Sequence, residues 1–438
     1  KRGAATRLIL IFAGWSTDAR YYNDCVAEGW DTAVVSDYRD ISIPLLPEQY
    51  RTVYIFAYSL GVAAASICDI PAAVRIAICG SPYPVSDSYG IPEAIYAGTL
   101  DGLSEKSLRK FHLRMAGDRN TYEAIKDKLP EWPDINSLKE ELAWIKDNAG
   151  KNGKEELKFR FDRVYLAEDD RIFPYSNLKA YWTGKPDTEI VSLKLPHSVD
   201  IASVVRDCIP DTKAIGDGFS RAGTTYSEHA VVQKEICEKI GEILEARIGA
   251  MGQKVKSLLE IGVGSGQLTE VWSRIVKPES VTYVDLTDMP VFDIAEKERY
   301  LEVDAEKWLE DTEEKFDIIL SASTIQWFAD PLGFVREVRN HLNPGGIAFI
   351  STFVKGNLYQ LDAVRPSPII YRTVEEYSRI SGVETVEWER TLTFPSSRAM
   401  LMHLRLTGVS PRRKTTSAPL TNLPTRLTYR PLILFIHS

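Results

Sequence analysis

Short apolar runs recur along this chain in two series, and stretches with helical periodicity separate them. Runs of this length between helices are typical of βα units, which assemble mostly parallel sheets. The first series predicts strands at Leu8–Ala13, Ala33–Ser36, Val53–Ala57, Val74–Cys79, Arg163–Ala167 and Ile190–Leu195. The second predicts strands at Lys256–Ile261, Ser280–Asp285, Asp317–Ser321 and Ile347–Phe353. We therefore expect two α/β domains.

Length and local composition set the expected domain boundaries. The 438 residues exceed what one ordinary hydrophobic core holds. The segment Pro210–Gly223 is rich in Gly, Asp, Lys and Thr, which is typical of a junction. We place the domains at residues 1–209 and 215–438. Residues 81–150 are polar and rich in helical pattern, so they predict a helical lid over the edge of the first sheet.

Net charge and cysteine content indicate which binding partners and which cellular compartment to expect. A net charge of -8 and a pI near 5.5 argue against binding to nucleic acid or to an acidic membrane surface. No apolar run reaches the length of a membrane-spanning helix. The five cysteines are scattered and form no C-x-x-C pair, which favours free thiols in a reducing cytoplasm over disulfides or a zinc site. We expect no metal.

A serine follows the third predicted strand in the setting of a hydrolase nucleophile. The segment Ala57-Tyr58-Ser59-Leu60-Gly61 lies between an apolar strand and a helix of small residues. Such a strained turn lifts the Ser59 hydroxyl above the sheet and directs the Leu60 N–H at a developing oxyanion. The segment FAGWS follows the first strand, and there Trp15 is the predicted second oxyanion donor.

An aspartate and a histidine follow later strands of the same series. Asp170 opens the segment DRIFP after the fifth predicted strand, with Glu168 and Asp169 as its rivals. His197 follows the sixth predicted strand in LKLPHS. The chain order Ser, Asp, His is that of α/β-hydrolases.

The chemistry of these residue types assigns their roles. His197 would accept the Ser59 proton, Asp170 would hold the imidazole tautomer, and Ser59 would form an acyl-enzyme. In the alternative interpretation, His197 is a surface histidine at a strand end and Asp170 is a helix N-cap. The other histidine of this half, His112, falls within the predicted lid.

A glycine-rich loop follows the first strand of the second series. In the pattern Glu260-x-Gly262-x-Gly264-x-Gly266, the glycines let the backbone approach a ligand. The Glu260 carboxylate is placed to accept hydrogen bonds from a cationic amino-acid group. A dinucleotide-binding fold has a similar requirement but more often shows G-x-G-x-x-G, with the third glycine one residue later.

Later residues of this half favour a class I methyltransferase fold that binds S-adenosylmethionine. Asp285 ends a predicted strand 19 residues after Gly266 and is placed to accept the ribose hydroxyls. Asp304 and Ala305 follow another short strand, a usual position for contacts to adenine. Taken alone, each aspartate is equally well explained as a solvated residue at the end of a strand. A carboxylate acceptor is already ionised at neutral pH, so we expect no catalytic dyad in this half.

Longer motifs resemble two known families. The segments FSRAGTTYSEHAVVQ, LEIGVGSG, VDAE, STIQWF and FPSSRAMLMHLRLTGVSP resemble the malonyl-[acyl-carrier protein] O-methyltransferases of biotin synthesis, over nearly all of residues 215–438. FAGW, AYSLGV, DRIFP and LPHS, in the first 205 or so residues, resemble the BioG-type pimeloyl-[acyl-carrier protein] methyl ester esterases. After TGVSP the chain departs from the first family and turns basic and rich in Thr and Pro.

The resemblance implies a bifunctional enzyme whose partner is an acyl-carrier protein. Tyr226, in an N-terminal helix of the methyltransferase, is the candidate to bind the acceptor carboxylate, and an ordinary packing tyrosine is the alternative. Arg109 and Arg114 in the lid are candidates to meet acidic carrier residues, and a solvated helix face is the alternative. Two other functions stay open. One is a small-molecule carboxyl methyltransferase joined to a general carboxylesterase, and the other is a methyltransferase with an inactive carrier-binding hydrolase module.

Overall fold

Two units build the chain, Lys1–Ile209 and Pro210–Ser438. The computed structural model describes residues 5–39, 48–131, 133–149, 160–251, 254–362, 367–408 and 423–438. Side chains 222–225, 227 and 249–251 lie outside this description. So do the last three residues of the FPSSRAMLMHLRLTGVSP motif and most of the basic segment that follows it.

The six strands predicted in the first half all form. They are β1 Arg7–Phe12, β2 Trp30–Val35, β3 Thr52–Tyr58, β4 Val74–Ile78, β5 Arg163–Ala167 and β6 Glu189–Leu193. They build one parallel sheet in the order β2-β1-β3-β4-β5-β6. Every residue of β1, β3 and β5 is buried, because helices cover both faces of a parallel sheet.

Helices connect these strands, and four of them lie in the predicted lid segment. The helices are α1 Gly61–Ser66, α2 Glu93–Asp101, α3 Glu105–Ala116, α4 Arg119–Ile125, α5 Ile135–Asn148, α6 Tyr175–Thr183 and α7 Ile201–Cys208. Short 3-10 turns occupy Ala19–Tyr22 and Lys126–Lys128. Helix α3 begins with a capping box at Ser104 and ends at Gly117, and it buries Leu108, Phe111 and Met115. The segment predicted to form a lid is thus largely helical in its described residues.

The strand order places a crevice between β1 and β3. The chain leaves β1 for β2 on one side and returns to β3 on the other side. The loops after β1 and β3 therefore run in opposite directions and open a crevice at the carboxyl ends of these strands. These two loops carry Trp15 and Ser59.

The second unit begins with helices and continues with alternating strands and helices. Its strands are β7 Ser257–Ile261, β8 Ser280–Asp285, β9 Lys297–Glu302, β10 Phe316–Ser321, β11 Leu342–Phe353, β12 Val383–Glu387, β13 Arg390–Thr393, β14 Arg426–Tyr429 and β15 Pro431–His437. Its helices are α8 Thr212–His229, α9 Val231–Met251, α10 Gln267–Trp272, α11 Ala305–Asp311, α12 Pro331–Val338, α13 Val374–Ser378 and α14 Ser397–Leu406. Short 3-10 turns occupy Ile325–Trp327, Arg339–His341 and Tyr359–Leu361.

A seven-stranded sheet organises this unit in the order β12-β15-β11-β10-β7-β8-β9. Strands β7 to β11 are parallel, and β15 runs antiparallel to both β11 and β12. This is the class I methyltransferase fold that the sequence predicted. The chain direction across the sheet reverses between β7 and β10, so a second crevice opens at their carboxyl ends.

The segment Pro210–Gly223 begins at the boundary between the two units and is mostly helical. Helix α8 begins at Thr212, because the Asp211 carboxylate accepts a hydrogen bond from the Ala214 N–H and caps the helix. Most of the segment placed at the junction is therefore the first helix of the second unit.

Two further observations concern the whole described chain. None of its helices has both the length and the apolar character needed to cross a membrane. The five cysteines are free and buried, as their scattered positions predicted.

Candidate active sites

Three side chains of the first unit form a buried hydrogen-bonded chain. The Ser59 hydroxyl lies 2.9 Å from Nε2 of His197, and Nδ1 of His197 lies 2.7 Å from a carboxylate oxygen of Asp170. His197 is only 1% exposed, so the alternative of a surface histidine is wrong. The arrangement can move a proton from the serine to the imidazole and stabilise the resulting positive charge.

The turn that carries Ser59 is strained and closely packed. Ser59 has a φ of 57°, in the left-handed region that side chains other than glycine seldom adopt. Helix α1 follows at once, and a Cβ on Gly61 would lie 2.4 Å from the carbonyl oxygen of Phe12 in β1. Only glycine therefore lets α1 approach the sheet closely enough to hold the serine above β3.

The loop after β5 selects Asp170 over its two rivals. One carboxylate oxygen of Asp170 accepts hydrogen bonds from the N–H groups of Ile172 and Phe173, at 2.7 and 2.9 Å. The other oxygen is left to face His197. Glu168 and Asp169 are exposed. The alternative, in which Asp170 caps a helix, is correct in one respect. The Asp170 carboxylate accepts hydrogen bonds from the backbone of the turn that follows it, as well as contacting the imidazole.

The two residues predicted to donate to an oxyanion belong to the same cavity as Ser59. Trp15 and Leu60 line this cavity, and neither N–H donates to a hydrogen bond within the described chain. The residue before Trp15 is fixed, because the Gly14 N–H donates to the Tyr22 hydroxyl at 2.7 Å. The two predicted oxyanion donors thus lie beside the serine.

The cavity over Ser59 has a volume of about 460 Å³ and a largely apolar wall. Its apolar lining consists of Ile91, Ile95, Tyr96, Phe111, Leu142 and Ile172. Two cations, Arg114 and Arg171, also line it, whereas Arg109 is exposed elsewhere on α3. Sequence reasoning missed Arg171, although its place directly after Asp170 was a signal. The cavity suits an acyl chain with an anionic group near its mouth.

Cys79 lies next to the hydrogen-bonded chain. Its sulfur and the ligand atoms of Asp170 and His197 lie within 4.8 Å of one another, a spacing that also suits a metal ion. Burial and the charge of Asp170 raise the pKa of the Cys79 thiol well above its ordinary value. A thiol must lose its proton to bind a metal, so we interpret Cys79 as a packing residue.

Glu141 in α5 is a buried carboxyl of the lid. It is 5% exposed, and its Oε1 has no hydrogen-bond partner among the described residues. Burial raises the pKa of Glu141 to about 8, the charge of Asp37 adds to the shift, and the Tyr38 N–H and Arg39 oppose it. The protonated form therefore favours the docked lid. The stabilisation of the docked lid by protonated Glu141 is complete below the ordinary pKa of a glutamic acid, and it declines as the pH rises toward 8.

Glu141→Gln is expected to stabilise the lid at high pH only. At pH 9 the amides of α5 should exchange about tenfold more slowly in the variant than in the wild type, because the variant needs no buried charge. At pH 5 the two proteins should exchange alike. Hydrogen exchange with mass spectrometry measures this, and Glu140→Gln, at an exposed neighbour, is the control. An equal gain at both pH values would contradict the assignment.

The glycine loop of the second unit is closed on one side and open on the other. Gly262, Gly264 and Gly266 all have positive φ angles, of 70°, 54° and 82°. A Cβ on Gly262 would lie 2.0 Å from the Thr324 hydroxyl oxygen, whereas one on Gly264 would meet nothing within 4 Å. The Gly264 N–H donates to Asp285 at 2.8 Å. The structure therefore brings the three glycines and Asp285 together beside open space.

The other predicted cofactor residues have different surroundings. Glu260 is buried, and its carboxylate accepts hydrogen bonds from Thr269 and the Trp272 indole, which ties β7 to α10 beneath the loop. Burial raises the pKa of Glu260 to about 7, against the effect of these hydrogen bonds. Asp304 caps α11, and Ala305 is buried at the start of that helix. Both Glu260 and Asp304 therefore accept hydrogen bonds from neighbouring residues, and neither is simply a solvated side chain.

A second cavity, of about 380 Å³, lies beyond the end of β10. Tyr226 lines it, and Phe219 connects Tyr226 to Trp327 through edge-to-face ring contacts. The Ser323 hydroxyl and the Gln326 side-chain oxygen are buried there without a hydrogen-bond partner in the described residues. Sequence reasoning did not assign a role to these two residues, although both belong to the STIQWF motif.

Comparison with known proteins agrees with the two-unit organisation. Residues 2–198 match the family described as pimeloyl-ACP methyl esterase BioG, and residues 259–350 match a methyltransferase domain family. A malonyl-[acyl-carrier protein] O-methyltransferase of Bacteroides fragilis is 31% identical over 421 residues, which cover 92% of this chain and 84% of that protein. The chain belongs to the malonyl-[acyl-carrier protein] O-methyltransferase family.

Other relatives match one half of the chain each. A malonyl-[acyl-carrier protein] O-methyltransferase of Chlorobium phaeovibrioides is 32% identical over 216 residues, or 46% of this chain and 82% of that protein. The crystal structure of BioG from Haemophilus influenzae is 28% identical, with a TM-score of 0.41, and covers 44% of this chain and 90% of that one. The two family matches give this chain a BioG domain followed by a methyltransferase domain.

Proposed function

We propose that this chain is a bifunctional enzyme of biotin synthesis. In this proposal the second unit methylates the free carboxyl of malonyl-[acyl-carrier protein] with S-adenosylmethionine. The first unit hydrolyses the methyl ester of pimeloyl-[acyl-carrier protein]. The observation that carries the proposal is the hydrogen-bonded Ser59–His197–Asp170 chain, in a protein whose match to the Bacteroides fragilis methyltransferase extends over both units.

In the first unit the residues supply a complete acyl-transfer site. Ser59 Oγ attacks the ester carbonyl carbon while His197 takes its proton, and Asp170 stabilises the imidazolium. The N–H groups of Trp15 and Leu60 bind the oxyanion. Methanol leaves with the proton from His197, and water then releases the acid from Ser59 by the same steps.

In the second unit the residues fit S-adenosylmethionine. The glycine loop would contact S-adenosylmethionine at the open side of Gly264. The Asp285 carboxylate would accept hydrogen bonds from the ribose hydroxyls of the cofactor. The cofactor supplies a methyl group on a sulfonium when bound. The buried, unpartnered oxygens of Ser323 and Gln326 support the presence of a ligand in the adjoining cavity.

The acceptor carboxylate requires orientation rather than activation. It is ionised at neutral pH, so no general base is needed. Tyr226 lines the cavity beyond the end of β10, the strand next to β7, and is our candidate to bind this carboxylate. The aromatic lining, which includes Phe219 and Trp327, would exclude water and hold the acceptor in line with the methyl group.

The two activities fit one physical purpose. Methylation removes the terminal carboxylate charge, which is costly to bury in an apolar fatty-acid elongation site. Hydrolysis after elongation restores the charge. Because the chain must not reverse its own first reaction, its esterase should favour the longer acyl chain, and the apolar wall formed by Ile91, Ile95 and Leu142 supports this selectivity.

An acyl-carrier protein is the proposed partner of the first unit. Arg114 and Arg171 line the Ser59 cavity, and Arg109 lies exposed on the same helix as Arg114. None of the three forms an ion pair within the described residues, so their charges are available to an acidic carrier.

Assays of the purified full-length chain test the proposal. We expect S-adenosylmethionine-dependent methylation of malonyl-carrier, and hydrolysis of pimeloyl-carrier methyl ester at least about tenfold faster than that of malonyl-carrier methyl ester. Methylation without hydrolysis would favour an inactive hydrolase module. Equal turnover of free and carrier-linked substrates would favour the small-molecule alternative.

A further inference from the structure

Lid helix α3 contacts two of the loops that carry the hydrolytic machinery, those of Trp15 and His197. Nε2 of His112 lies 3.0 Å from the Ser16 hydroxyl, in the loop that contains Trp15. The Phe111 ring packs edge-on against the Trp15 ring, with centroids 5.0 Å apart. At the end of the helix, the Met115 carbonyl accepts a hydrogen bond of 3.0 Å from the N–H of Ser198, the residue after His197. The lid is therefore part of the support of the site.

Ser16 is held in a conformation that it would not favour by itself. Its φ is 64°, in the left-handed region, and it is only 4% exposed. A residue other than glycine loses roughly 1–2 kcal/mol there, so its surroundings must hold it in place. Among the described residues, the Ser16 hydroxyl forms its side-chain hydrogen bond with Nε2 of His112.

The sheet side holds the two ends of this loop, and the lid holds the residues between them. The sheet side fixes the beginning, because the Tyr38 hydroxyl donates to the Ala13 carbonyl at 2.6 Å and the Gly14 N–H donates to Tyr22. The lid holds the middle, through the contact of His112 with Ser16 and through the Trp15 indole N–H, which donates to the Leu138 carbonyl at 3.1 Å. Thr17 then closes the turn, because its N–H and its hydroxyl both donate to the Gly14 carbonyl. The Trp15 backbone N–H lies between these two sets of contacts.

We propose that His112 is a positioning residue for ester hydrolysis, which holds Ser16 and thereby the Trp15 oxyanion donor when the lid is docked. The inference rests on the esterase activity proposed above. His112 itself does not exchange protons with the substrate. Burial lowers its pKa to about 4, so the imidazole stays neutral at physiological pH and its hydrogen bond to Ser16 does not change there.

The test compares two model esters in the full-length chain. His112→Ala should lower kcat by about 10- to 100-fold for both p-nitrophenyl acetate and p-nitrophenyl hexanoate, because a displaced oxyanion donor weakens the transition state of every ester. KM should change little. His112→Gln, which can still reach Ser16, should recover much of the loss, and the pH profile of kcat should keep its shape.

Matched variants separate positioning from general damage to the lid. Leu113→Ala, at an exposed neighbour on α3, should leave kcat unchanged. Ser16→Ala should reproduce the loss of His112→Ala, and the double variant should be no worse than either, as expected for two residues that act through one contact. Additive losses would overturn the proposal.

Two other results would also overturn it. One is an unchanged kcat in His112→Ala, and the other is a loss confined to the hexanoate ester with a raised KM, which would indicate acyl packing alone. Failure of the proposed function is distinguishable, since the wild-type chain would then hydrolyse neither ester.

Discussion

Ser59→Ala is expected to lower kcat for ester hydrolysis by about 10³- to 10⁴-fold or more, and to leave methyl transfer at the wild-type rate. The substitution removes the only atom that forms the acyl-enzyme in the proposed mechanism, while the oxyanion donors and the cavity remain. The rate of methanol release from pimeloyl-carrier methyl ester measures this loss.

Two controls make this result specific to the nucleophile. Ser66→Ala removes another buried hydroxyl, on α1, which donates to the Val62 carbonyl and should cost little activity. A fluorophosphonate probe should label the wild type and Ser66→Ala but not Ser59→Ala. Hydrolysis at the wild-type rate in Ser59→Ala would refute the hydrolytic assignment of the triad.

Gly262→Ala should weaken binding of S-adenosylmethionine by about 100-fold and reduce methyl transfer in proportion. The new Cβ would lie 2.0 to 2.7 Å from three atoms of Thr324, including its Cβ, so rotation of the Thr324 side chain cannot relieve the contact. The φ of 70° adds backbone strain. Overpacking costs about 1–3 kcal/mol and left-handed backbone about 1–2 kcal/mol, which together account for the expected loss.

Isothermal titration with S-adenosylmethionine measures this effect, and ester hydrolysis by the same chain should be unchanged. Gly218→Ala is a suitable control, because its Cβ would make only an ordinary contact of 3.8 Å with the Gly408 carbonyl. Unimpaired binding in Gly262→Ala would show that the cofactor does not depend on the shape of this loop.

Contacts between distant residues account for what sequence reasoning missed. Ser16 and His112 are separated by 96 positions, and no local pattern links them. Glu260 was predicted to accept hydrogen bonds from a cationic ligand group, and the sequence did not indicate that one of its carboxylate oxygens also accepts from Thr269 and Trp272 in the core. Side-chain direction at such positions depends on which helix packs against the strand, and that is set by the whole fold.

Sequence by itself determined the six strands of the first sheet, the strands β7, β8, β10 and β11 of the second, the turn at Ser59 and the glycine loop. Each of these depends on residues that are neighbours in the chain. Apolar runs, small residues beside a nucleophile and spaced glycines all restrict the backbone locally. Tertiary structure alone decided which acid turns toward His197, which arginines reach the cavity, and how the lid supports the oxyanion loop. Burial and hydrogen bonding between distant segments select one side-chain direction among several that the local chain allows.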